Sequence, residues 1–568
     1  MLSLVCLLVA ASTVDGYINL TSLSYVRLED ANGGFTLGAS TYNRVAFDPS
    51  QGILYALATE PGRLTVFSLN LDGTLTQRAV HAFATSTEGH PLDIEFCSPA
   101  AGGVDRLAIS FRDPTSLGAD GDVNFYQPLT AGNYEFPAPF KEIATGADPV
   151  DLEFAQDCLV LVVANKGKPS PGHAGSGDPE GIITKILTPF DFNEDSTVTS
   201  TSIGFGLVND QATLSDLMAK NFRPWPFRNS DGPISGITAS KNVEPVNVIV
   251  APNGQVVYAA LPKNNAIARI NLDINMVSEI IPLGNRSWDN FYLDASQADG
   301  GANMRRFPVY STLQPRQIKW VVQDEAQWMI TLESGYIDEI PDYNYRGARQ
   351  GSVLAAGIAP GVPELDVSAD LKAMLEDNTL LGEAEFSIED GKGADGIKLE
   401  NLFLNGGRGI SIRRGSDLSV ATSLIDNVER ETAQNFRNIF NSGMRFPNRT
   451  PQQEKDITSA TFGPDLSVIE TGFYEDQKVL FLGGGSSGII YVYVLIPDTD
   501  CPQPYFHSAK RFGNTVLTWQ AAYDQGQMGD IGITDMLYIP REGQRTVDVL
   551  VVASATSNSI HTYRVNDD

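Results

Sequence analysis

The stretch "PVNVIVAPNGQVVYAALPKNNAIARINL" (residues 245–272) contains both halves of a unit that recurs along the chain. Its first half is a short approach strand that begins at a proline, and its second half is a pair of apolar strands around a tight turn. Val, Ile, Leu, Tyr and Ala dominate the strands, whereas Asn and Lys occupy the turn, a pattern typical of β-hairpins. A unit of this size cannot bury its own faces, so it needs neighbours of the same kind.

Related segments recur through the chain. Approach strands of this kind are "NRVAFDP" (43–49), "PLDIEF" (91–96), "PVDLEF" (149–154), "PRQIKWVV" (315–322) and "ITDMLYIP" (533–540). Strand pairs around a turn are "ILYALATEPGRLTVFSL" (53–69), "VLFLGGGSSGIIYVYVL" (479–495) and "VLVVASATSNSIHTYRV" (549–565). Stacking such units radially buries their faces and hides most strand edges. The sequence therefore predicts an all-β fold, a β-propeller of four-stranded blades.

The number of blades is left at seven or eight. Eight units begin near residues 43, 91, 149, 245, 315, 393, 456 and 533, and seven blades result if the N-terminal strand completes the last blade. Residues 197–240, 285–312, 345–392 and 427–455 exceed what a blade needs and are interpreted as insertions on one face. A β-sandwich array or a β-helix is the alternative, although parallel β-helices have shorter periods. Residues 17–568 are expected to form a single propeller domain.

The N-terminus indicates the compartment. Residues 1–16, "MLSLVCLLVAASTVDG", combine a short apolar core with small residues near the end, which predicts a secretory signal peptide cleaved before Tyr17. No later stretch approaches about 18 consecutive apolar residues, so we expect no membrane span. The polar C-terminus lacks the hydrophobic tail of a lipid-anchor signal. We therefore expect a secreted protein.

Secretion makes glycosylation and a disulfide possible. Sequons at Asn19, Asn285 and Asn448 predict N-glycosylation, although a chain of this length yields some by chance and Pro451 weakens the third. Cys97 and Cys158 follow equivalent strands, "PLDIEFC" and "PVDLEFAQDC", which should be neighbours in a propeller. We predict a disulfide between them, with three free buried thiols, including Cys501, as the alternative.

The net charge narrows the range of partners. The chain has 69 acidic and 40 basic residues and a formal charge of −29, without a run of Asp or Glu. An acidic folded surface of this kind disfavours nucleic acid and anionic membranes, and it attracts divalent cations weakly.

Two segments carry candidate calcium ligands. Asp191, Asn193 and Asp195 place oxygen side chains at alternate positions, as a calcium loop does. A full EF-hand is excluded because Ser196 stands where Gly is needed and no Glu closes the loop. Asp178 and Glu180, with His173, form a second candidate in the long loop within residues 163–186. For both segments the alternative is a solvated turn, in which Asp, Asn and Gly are favoured by the backbone.

Several segments resemble the choice-of-anchor I propeller family. They are "VVANKGKPSPGHAGSGDPEGI" (162–182), "VEPVNVIVAPNGQVVYAALPKNNAIARINL" (243–272), "FPVYSTLQPRQIKW" (307–320), "LFLNGGRGISI" (402–412), "RETAQNFRNIFNS" (430–442) and residues 529–565. The resemblance covers essentially the whole mature chain. It implies an extracellular propeller glycoprotein linked to biomineralisation, with calcium as the associated ion.

One departure from the family affects whether this chain can hold a metal ion tightly. The family's Asn-Glu-Gly-Glu is replaced by Asn165-Lys-Gly-Lys168, which removes two acidic groups and adds repulsion toward a cation. The leading hypothesis is therefore a secreted matrix or cell-surface glycoprotein that acts as a non-enzymatic scaffold in shell or skeleton mineralisation. Matrix proteins or a mineral surface would be its partners, and its calcium affinity would be weak. The alternative is a metal-dependent phosphoesterase that uses the central face of the propeller.

Overall fold

The repeated units of the sequence form seven four-stranded antiparallel sheets among the described residues. The structure, a computed structural model, describes residues 17–567 except 41–42, 117, 169–177, 225–227, 230–231, 234–237, 324–325, 338, 341–344, 358–360, 395 and 498–501. The predicted signal peptide, His173 and Cys501 lie outside the described residues.

Each sheet is one blade, and its strands follow one another from the centre of the ring outward. The N-terminal strand is β1 (Ile18–Arg27). The first three blades contain β2 (Asn43–Asp48), β3 (Ile53–Ala58), β4 (Arg63–Leu69) and β5 (Leu75–Ala82); β6 (His90–Cys97), β7 (Arg106–Arg112), β8 (Asp120–Tyr126) and β9 (Lys141–Ala147); and β10 (Pro149–Ala155), β11 (Val160–Asn165), β12 (Ile182–Leu187) and β13 (Thr199–Gly204). Residues 205–246, between blades 3 and 4, contain the helix α1 (Gln211–Ala219) and the short strands β14 (Arg228–Asn229) and β15 (Gly232–Pro233).

The fourth and fifth blades are separated by an insertion, and a second insertion lies inside the fifth. Blade 4 contains β16 (Asn247–Val250), β17 (Val256–Leu261), β18 (Ala266–Asn271) and β19 (Met276–Pro282). The first insertion contains β20 (Asn285–Ser287) and β21 (Tyr310–Thr312). Blade 5 then begins with β22 (Gln317–Gln323) and β23 (Ala326–Glu333). The second insertion contains β24 (Glu339–Ile340), β25 (Tyr345–Arg346), β26 (Ala348–Gln350), α2 (Gly351–Ala356), α3 (Ala369–Glu376), β27 (Glu385–Ser387) and β28 (Phe403–Asn405).

The remaining strands complete the ring. Blade 5 ends with β29 (Gly409–Arg414) and β30 (Val420–Leu424), and α4 (Asn427–Asn435) follows. Blade 6 contains β31 (Leu466–Tyr474), β32 (Gln477–Gly484), β33 (Ile489–Ile496) and β34 (Gln503–Arg511), and α5 (Trp519–Asp524) leads to blade 7 with β35 (Ile533–Ile539), β36 (Asp548–Ser554) and β37 (Ser559–Asp567).

The two ends of the chain close the ring. Strand β1 pairs antiparallel with β37, with Leu20 opposite Val565, and so becomes the outermost strand of blade 7. The innermost strands pack against one another in the circular order β2, β6, β10, β16, β22, β31, β35 and back to β2. The structure therefore has seven blades, and the N-terminal strand completes the last one.

The unit predicted near residue 393 is not a blade. Residues 334–408 are inserted between the second and third strands of blade 5, and β29 pairs with β23 across this insertion. The sequence of β29 and β30 thus resembles the start of a new unit, although β29 pairs with β23, which lies before the insertion.

The apolar residues divide into clusters that follow the blades. One cluster fills each of the seven interfaces between adjacent blades; the interface of blades 3 and 4, for example, contains Val162, Ile183 and Val257. A further cluster, with Trp288, Leu375 and Phe386, lies in the insertions. The propeller is therefore stabilised by blade-to-blade packing, as expected of units that cannot bury their own faces.

The large insertions emerge on the same face of the ring. They connect the second strand of a blade to its third, or the fourth strand to the next blade, and in an antiparallel sheet these connections lie at the end where the innermost strand begins. Two of the insertions combine into one five-stranded sheet, β20-β21-β28-β27-β26, in which β21 and β28 are parallel. We call this side of the protein the insertion face.

A disulfide joins blades 2 and 3. Cys97 ends β6, Cys158 lies in the turn after β10, and their Cα atoms are 5.9 Å apart. No described helix is both long and apolar enough to cross a membrane.

Candidate functional site

The innermost strands hold one another through a repeated side-chain hydrogen bond. In four of the approach strands the third residue, counted from the proline, is polar and accepts a hydrogen bond from a backbone N–H of the next blade. The bonds are Asp93 to Leu152 N (2.8 Å), Asp151 to Val248 N (2.8 Å), Asn247 to Ile318 N (2.9 Å) and Gln317 to Ile469 N (2.6 Å). Asp535 does the same for Val45 N at 3.0 Å. These polar groups therefore belong to the frame that surrounds the central site.

A cavity of about 390 Å³ opens on the insertion face at the centre of the ring. We call it the mouth. The side chains that line it include five cations: Arg44, Arg112, Lys166, Lys168 and Arg316. Only two acidic side chains, Asp148 and Asp151, accompany them in its lining. The mouth is thus basic, although the whole chain carries a formal charge of −29.

The cations of the mouth differ in their partners. The guanidinium of Arg112 contacts Asp148 at 2.7 Å, and that of Arg44 lies 3.5 Å from Asp93. Neither Lys168 nor Arg316 forms an ion pair within the described part of the chain. These two groups are therefore available to an anionic ligand.

Under the mouth lies a buried group of charges centred on Glu244. Its carboxylate accepts a hydrogen bond from Lys263 Nζ at 2.6 Å, lies 3.8 Å from Lys166 Nζ and accepts a bond from Tyr336 Oη at 3.4 Å. Burial alone would raise the pKa of Glu244, but Lys263 and then Lys166 hold it below its usual range. Two ammonium groups thus occupy the surroundings of this carboxylate, where they would compete with a metal ion.

Asp178, one of the predicted calcium ligands, is next to this group. Its side chain is 1% exposed, and neither carboxylate oxygen has a hydrogen-bond partner among the described residues. Burial raises its pKa to about 7, although Lys263 opposes the shift. Glu180, by contrast, is exposed and accepts a hydrogen bond from Ser240 Oγ at 2.6 Å.

The second predicted set lies elsewhere. Asp191, Asn193 and Asp195 are exposed in the loop after β12, whereas Asp178 and Glu180 precede that strand. Six strand residues separate the two ends by roughly 20 Å, so the two sets cannot share an ion. Within the loop, the Asn193 side chain donates to Asp191 O at 2.7 Å and accepts from Asp195 N at 2.9 Å. The turn itself thus uses the amide that was predicted as a ligand.

Below the mouth, a second cavity of about 340 Å³ continues along the ring axis. Its lining contains six carboxylates and two cations: Asp93, Glu95, Asp151, Glu153, Glu470, Asp535, Arg44 and Lys319. Lys319 forms an ion pair with Glu470. Burial raises the pKa of Glu153 to about 7 and that of Asp93 to about 6, while Lys319 and Arg44, respectively, oppose these shifts. We call this acidic cavity the channel.

The three sequons differ in exposure. Asn285 and Asn448 are exposed, at the start of β20 and in the loop before β31, and Asn19 is half-buried within β1. Glycosylation at these positions stays a prediction, with Asn285 and Asn448 the more accessible.

The basic mouth and one acidic group were not expected from the sequence. Arg316 is the second residue of an approach strand, so aligning those strands would have placed it at the mouth. Asp294, Asp299 and Asp456 come together on the insertion face from two separate insertions. The segment "DASQADGG" (294–301) carries a weak signal of alternating acids and glycines, but nothing local connects it to Asp456.

Comparison with known families gives one match over most of the chain, and two curated proteins are similar in sequence. The sequence model of the choice-of-anchor I domain matches residues 43–497. The chain is 25% identical over 368 residues to the mesenchyme-specific cell surface glycoprotein of Strongylocentrotus purpuratus, and this match covers 59% of the chain and 45% of the relative. It is 26% identical over 194 residues to gigasin-3a of Magallana gigas, with 34% and 66% covered. The matches thus span less than two thirds of either relative.

Solved structures show only a distant likeness. The WD40 domain of Toxoplasma gondii coronin is 9% identical, with a TM-score of 0.42, and the match covers 97% of this chain and 86% of that domain. The assignment of seven blades rests on the strand pairing of this chain and not on that likeness.

Proposed function

The chain belongs to the choice-of-anchor I family, and we propose that it is a secreted or cell-surface glycoprotein that acts as a non-enzymatic, calcium-interacting scaffold in shell or skeleton mineralisation. Two relatives support this proposal, one of which is named as a cell surface glycoprotein. The formal charge of −29 supports an interaction with calcium or with a mineral surface, since exposed carboxylates attract divalent cations.

The observation that carries the proposal is the separation of charge between the surface and the mouth. A basic cavity on an acidic protein provides two different contacts: the outer surface faces cations, and the mouth receives an anionic group. Lys168 and Arg316 supply the charge that remains unpaired in the mouth. A scaffold with both contacts can join an acidic matrix partner to calcium.

The acidic surface is tested by calorimetric titration of the mature protein with calcium at physiological ionic strength. We expect many weak sites whose affinity falls as salt is added, because screening weakens exposed charge interactions. Adsorption to calcium carbonate particles should fall with salt in parallel. A protein that takes up no calcium and does not adsorb would contradict the proposal.

The mouth is tested with a short poly-aspartate peptide as the probe. We expect the variant Lys168→Glu/Arg316→Glu to bind at least tenfold more weakly than the wild type, because two attractive contacts become repulsive. Lys372→Glu, on the exposed side of α3, is the control and should bind as the wild type does. Equal binding by all three proteins would exclude the mouth as the contact.

A metal-dependent phosphoesterase is the second candidate, because a basic cavity of about 390 Å³ would also accept a phosphate ester. Such a reaction needs carboxylates free to hold a metal at the same place. Here Asp148 contacts Arg112, and Asp151 accepts a hydrogen bond from Val248 N, so the nearest acids already have partners. Turnover of a phosphate ester that disappears on chelation and in Glu180→Ala would favour the enzyme over the scaffold.

A further inference from the structure

Three carboxylates meet on the insertion face, away from the mouth. One oxygen from each of Asp294, Asp299 and Asp456 lies within 4.8 Å of the corresponding oxygens of the other two. Asp294 and Asp299 belong to the insertion between β20 and β21, and Asp456 to the insertion between α4 and β31. We call these residues the aspartate trio.

Two members of the trio are deeply buried. Asp294 is 0% and Asp456 1% exposed, while Asp299 is only partly buried and connects the trio to solvent. Like charges at this distance repel strongly when water is excluded, and a buried anion needs a compensating charge. No Lys or Arg forms an ion pair with any of the three carboxylates within the described part of the chain. The Arg408 guanidinium donates to the backbone oxygen of Asp294 at 2.6 Å, and its ion pair, at 3.6 Å, is with Glu429.

The hydrogen bonds of the trio leave one oxygen without a donor. Asp294 accepts from Ser296 N at 3.2 Å and from Asn303 N at 2.7 Å, and both bonds hold its carboxylate in place. The Oδ1 atom of Asp456 accepts from Ser459 Oγ at 2.6 Å. The Oδ2 atom of Asp456 is buried and has no hydrogen-bond donor among the described residues. A buried carboxylate oxygen of this kind beside two other carboxylates requires either a bound cation or a proton shared with Asp299.

We propose that Asp294, Asp299 and Asp456 bind one calcium ion, which links the two insertions. Calcium prefers oxygen ligands at about 2.3–2.6 Å, so ligands on opposite sides of one ion lie up to about 5 Å apart, as the three oxygens here do. The partly exposed Asp299 provides the way in from solvent. This inference rests on the proposed function only in its choice of calcium, and it names a single stoichiometric site distinct from the weak binding of the acidic surface.

The two insertions are already in contact around the trio. Lys455 Nζ donates to Gly300 O at 2.6 Å, and Arg445 donates to the side chain of Gln297 at 3.2 Å. The backbone of Asp456 is fixed as well, because its N–H donates to Phe440 O at 2.6 Å. The ligands are thus held in position before the ion arrives, which reduces the entropy lost on binding.

The test uses the full mature chain, freed of metal with a chelator and titrated with calcium chloride by calorimetry and thermal unfolding. The wild type should show one stoichiometric site per chain that is tighter than the weak, salt-sensitive binding of the acidic surface. Its melting temperature should rise by about 2 °C when free calcium is a hundred times the dissociation constant. Asp456→Asn should lose both effects. Without calcium it should melt at or above the wild-type temperature, because one of three repelling charges is gone. Asp191→Asn, in the exposed loop after β12, is the matched control and should keep the site.

Three outcomes would overturn the inference, and they can be told apart. If Asp456→Asn keeps the calcium-dependent rise, the ion binds elsewhere. If the wild type shows only weak, salt-sensitive binding, the site is absent but the acidic scaffold of the proposed function remains. If calcium neither binds to the wild type nor changes its melting temperature, both the site and the calcium-interacting scaffold fail.

Discussion

Replacing Asp178 by Asn should stabilise the protein more at pH 8.5 than at pH 5.5. The carboxylate is 1% exposed, without a hydrogen-bond partner among the described residues, and burial raises its pKa from 3.8 to about 7. A group whose pKa is higher in the folded state favours folding at low pH, and this contribution is lost as the pH rises through the folded value. The wild type should therefore lose stability between pH 4 and pH 7 because of this group.

The size of the effect follows from the pKa. At pH 5.5 the folded protein holds the Asp178 proton, whereas at pH 8.5 it must bury the charge. The interval from pH 5.5 to about 7 corresponds to about 2 kcal/mol at 1.36 kcal/mol per pH unit. Asn removes this dependence, and the cost of its own buried amide is the same at both pH values. With an unfolding entropy of roughly 1.2 kcal/mol/K for a chain of this length, the difference is about 2 °C in melting temperature.

Scanning calorimetry of the wild type, Asp178→Asn and the exposed control Asp191→Asn at both pH values provides the measurement, with and without calcium. The control should show no pH-dependent difference from the wild type. If Asp178→Asn is less stable than the wild type at pH 8.5, the ionised Asp178 carboxylate stabilises the folded protein and the reasoning is refuted. If Asp178→Asn is less stable than the wild type only when calcium is present, Asp178 is a calcium ligand, as the sequence predicts.

Three further predictions follow from the fold and the channel. Replacing Cys97 and Cys158 by Ser should lower the melting temperature by about 3 °C. A cross-link across 61 residues contributes up to about 4 kcal/mol because it restricts the unfolded chain. A reduced wild type that melts at the same temperature as the oxidised protein would contradict this prediction. Lys319→Met should destabilise the protein by about 1–3 kcal/mol at pH 8.5 and by less at pH 5.5. Glu153, with its pKa of about 7, and Glu470 need the Lys319 cation only at a pH at which their carboxylates are ionised. Equal urea midpoints for variant and wild type at both pH values would argue against this prediction. Asn285→Gln should remove the mass of one glycan from the secreted protein on mass spectrometry, and an unchanged mass difference after deglycosylation would show that this exposed site is not used.

The propeller was predictable because its signal is local. An approach strand and a hairpin with apolar residues at alternating positions occur within about 30 residues, and each such segment forms strands of one blade. Cys97 and Cys158 could be placed together for the same reason, since they follow equivalent strands of adjacent units. The residues "SADLKAMLED" (368–377) have helical spacing, and α3 forms there, with Ser368 accepting a hydrogen bond from Leu371 N.

The unit near residue 393 shows where local patterns fail. Strand β29 has the composition of any inner blade strand, but its register with β23 is set by pairing across the insertion of residues 334–408. The predicted calcium ligands of the loop after β12 show a related ambiguity. Asp191, Asn193 and Asp195 have the spacing of a metal loop, and the same spacing also suits a turn in which the side chains bind their own backbone.

The sequence by itself determined the blade architecture, the disulfide partners, the location of the insertions and the excess of acidic charge. All of these depend on composition or on neighbours within one repeat or in adjacent repeats. Only the tertiary structure decided the count of seven, because β29 pairs with β23 across an insertion and β1 meets β37 across the whole length of the chain. It also gathered Arg44, Arg112, Lys166, Lys168 and Arg316 at one mouth and brought Asp294 within reach of Asp456. Closing a ring places residues from distant repeats around one axis, and no local pattern encodes which of their charges will meet.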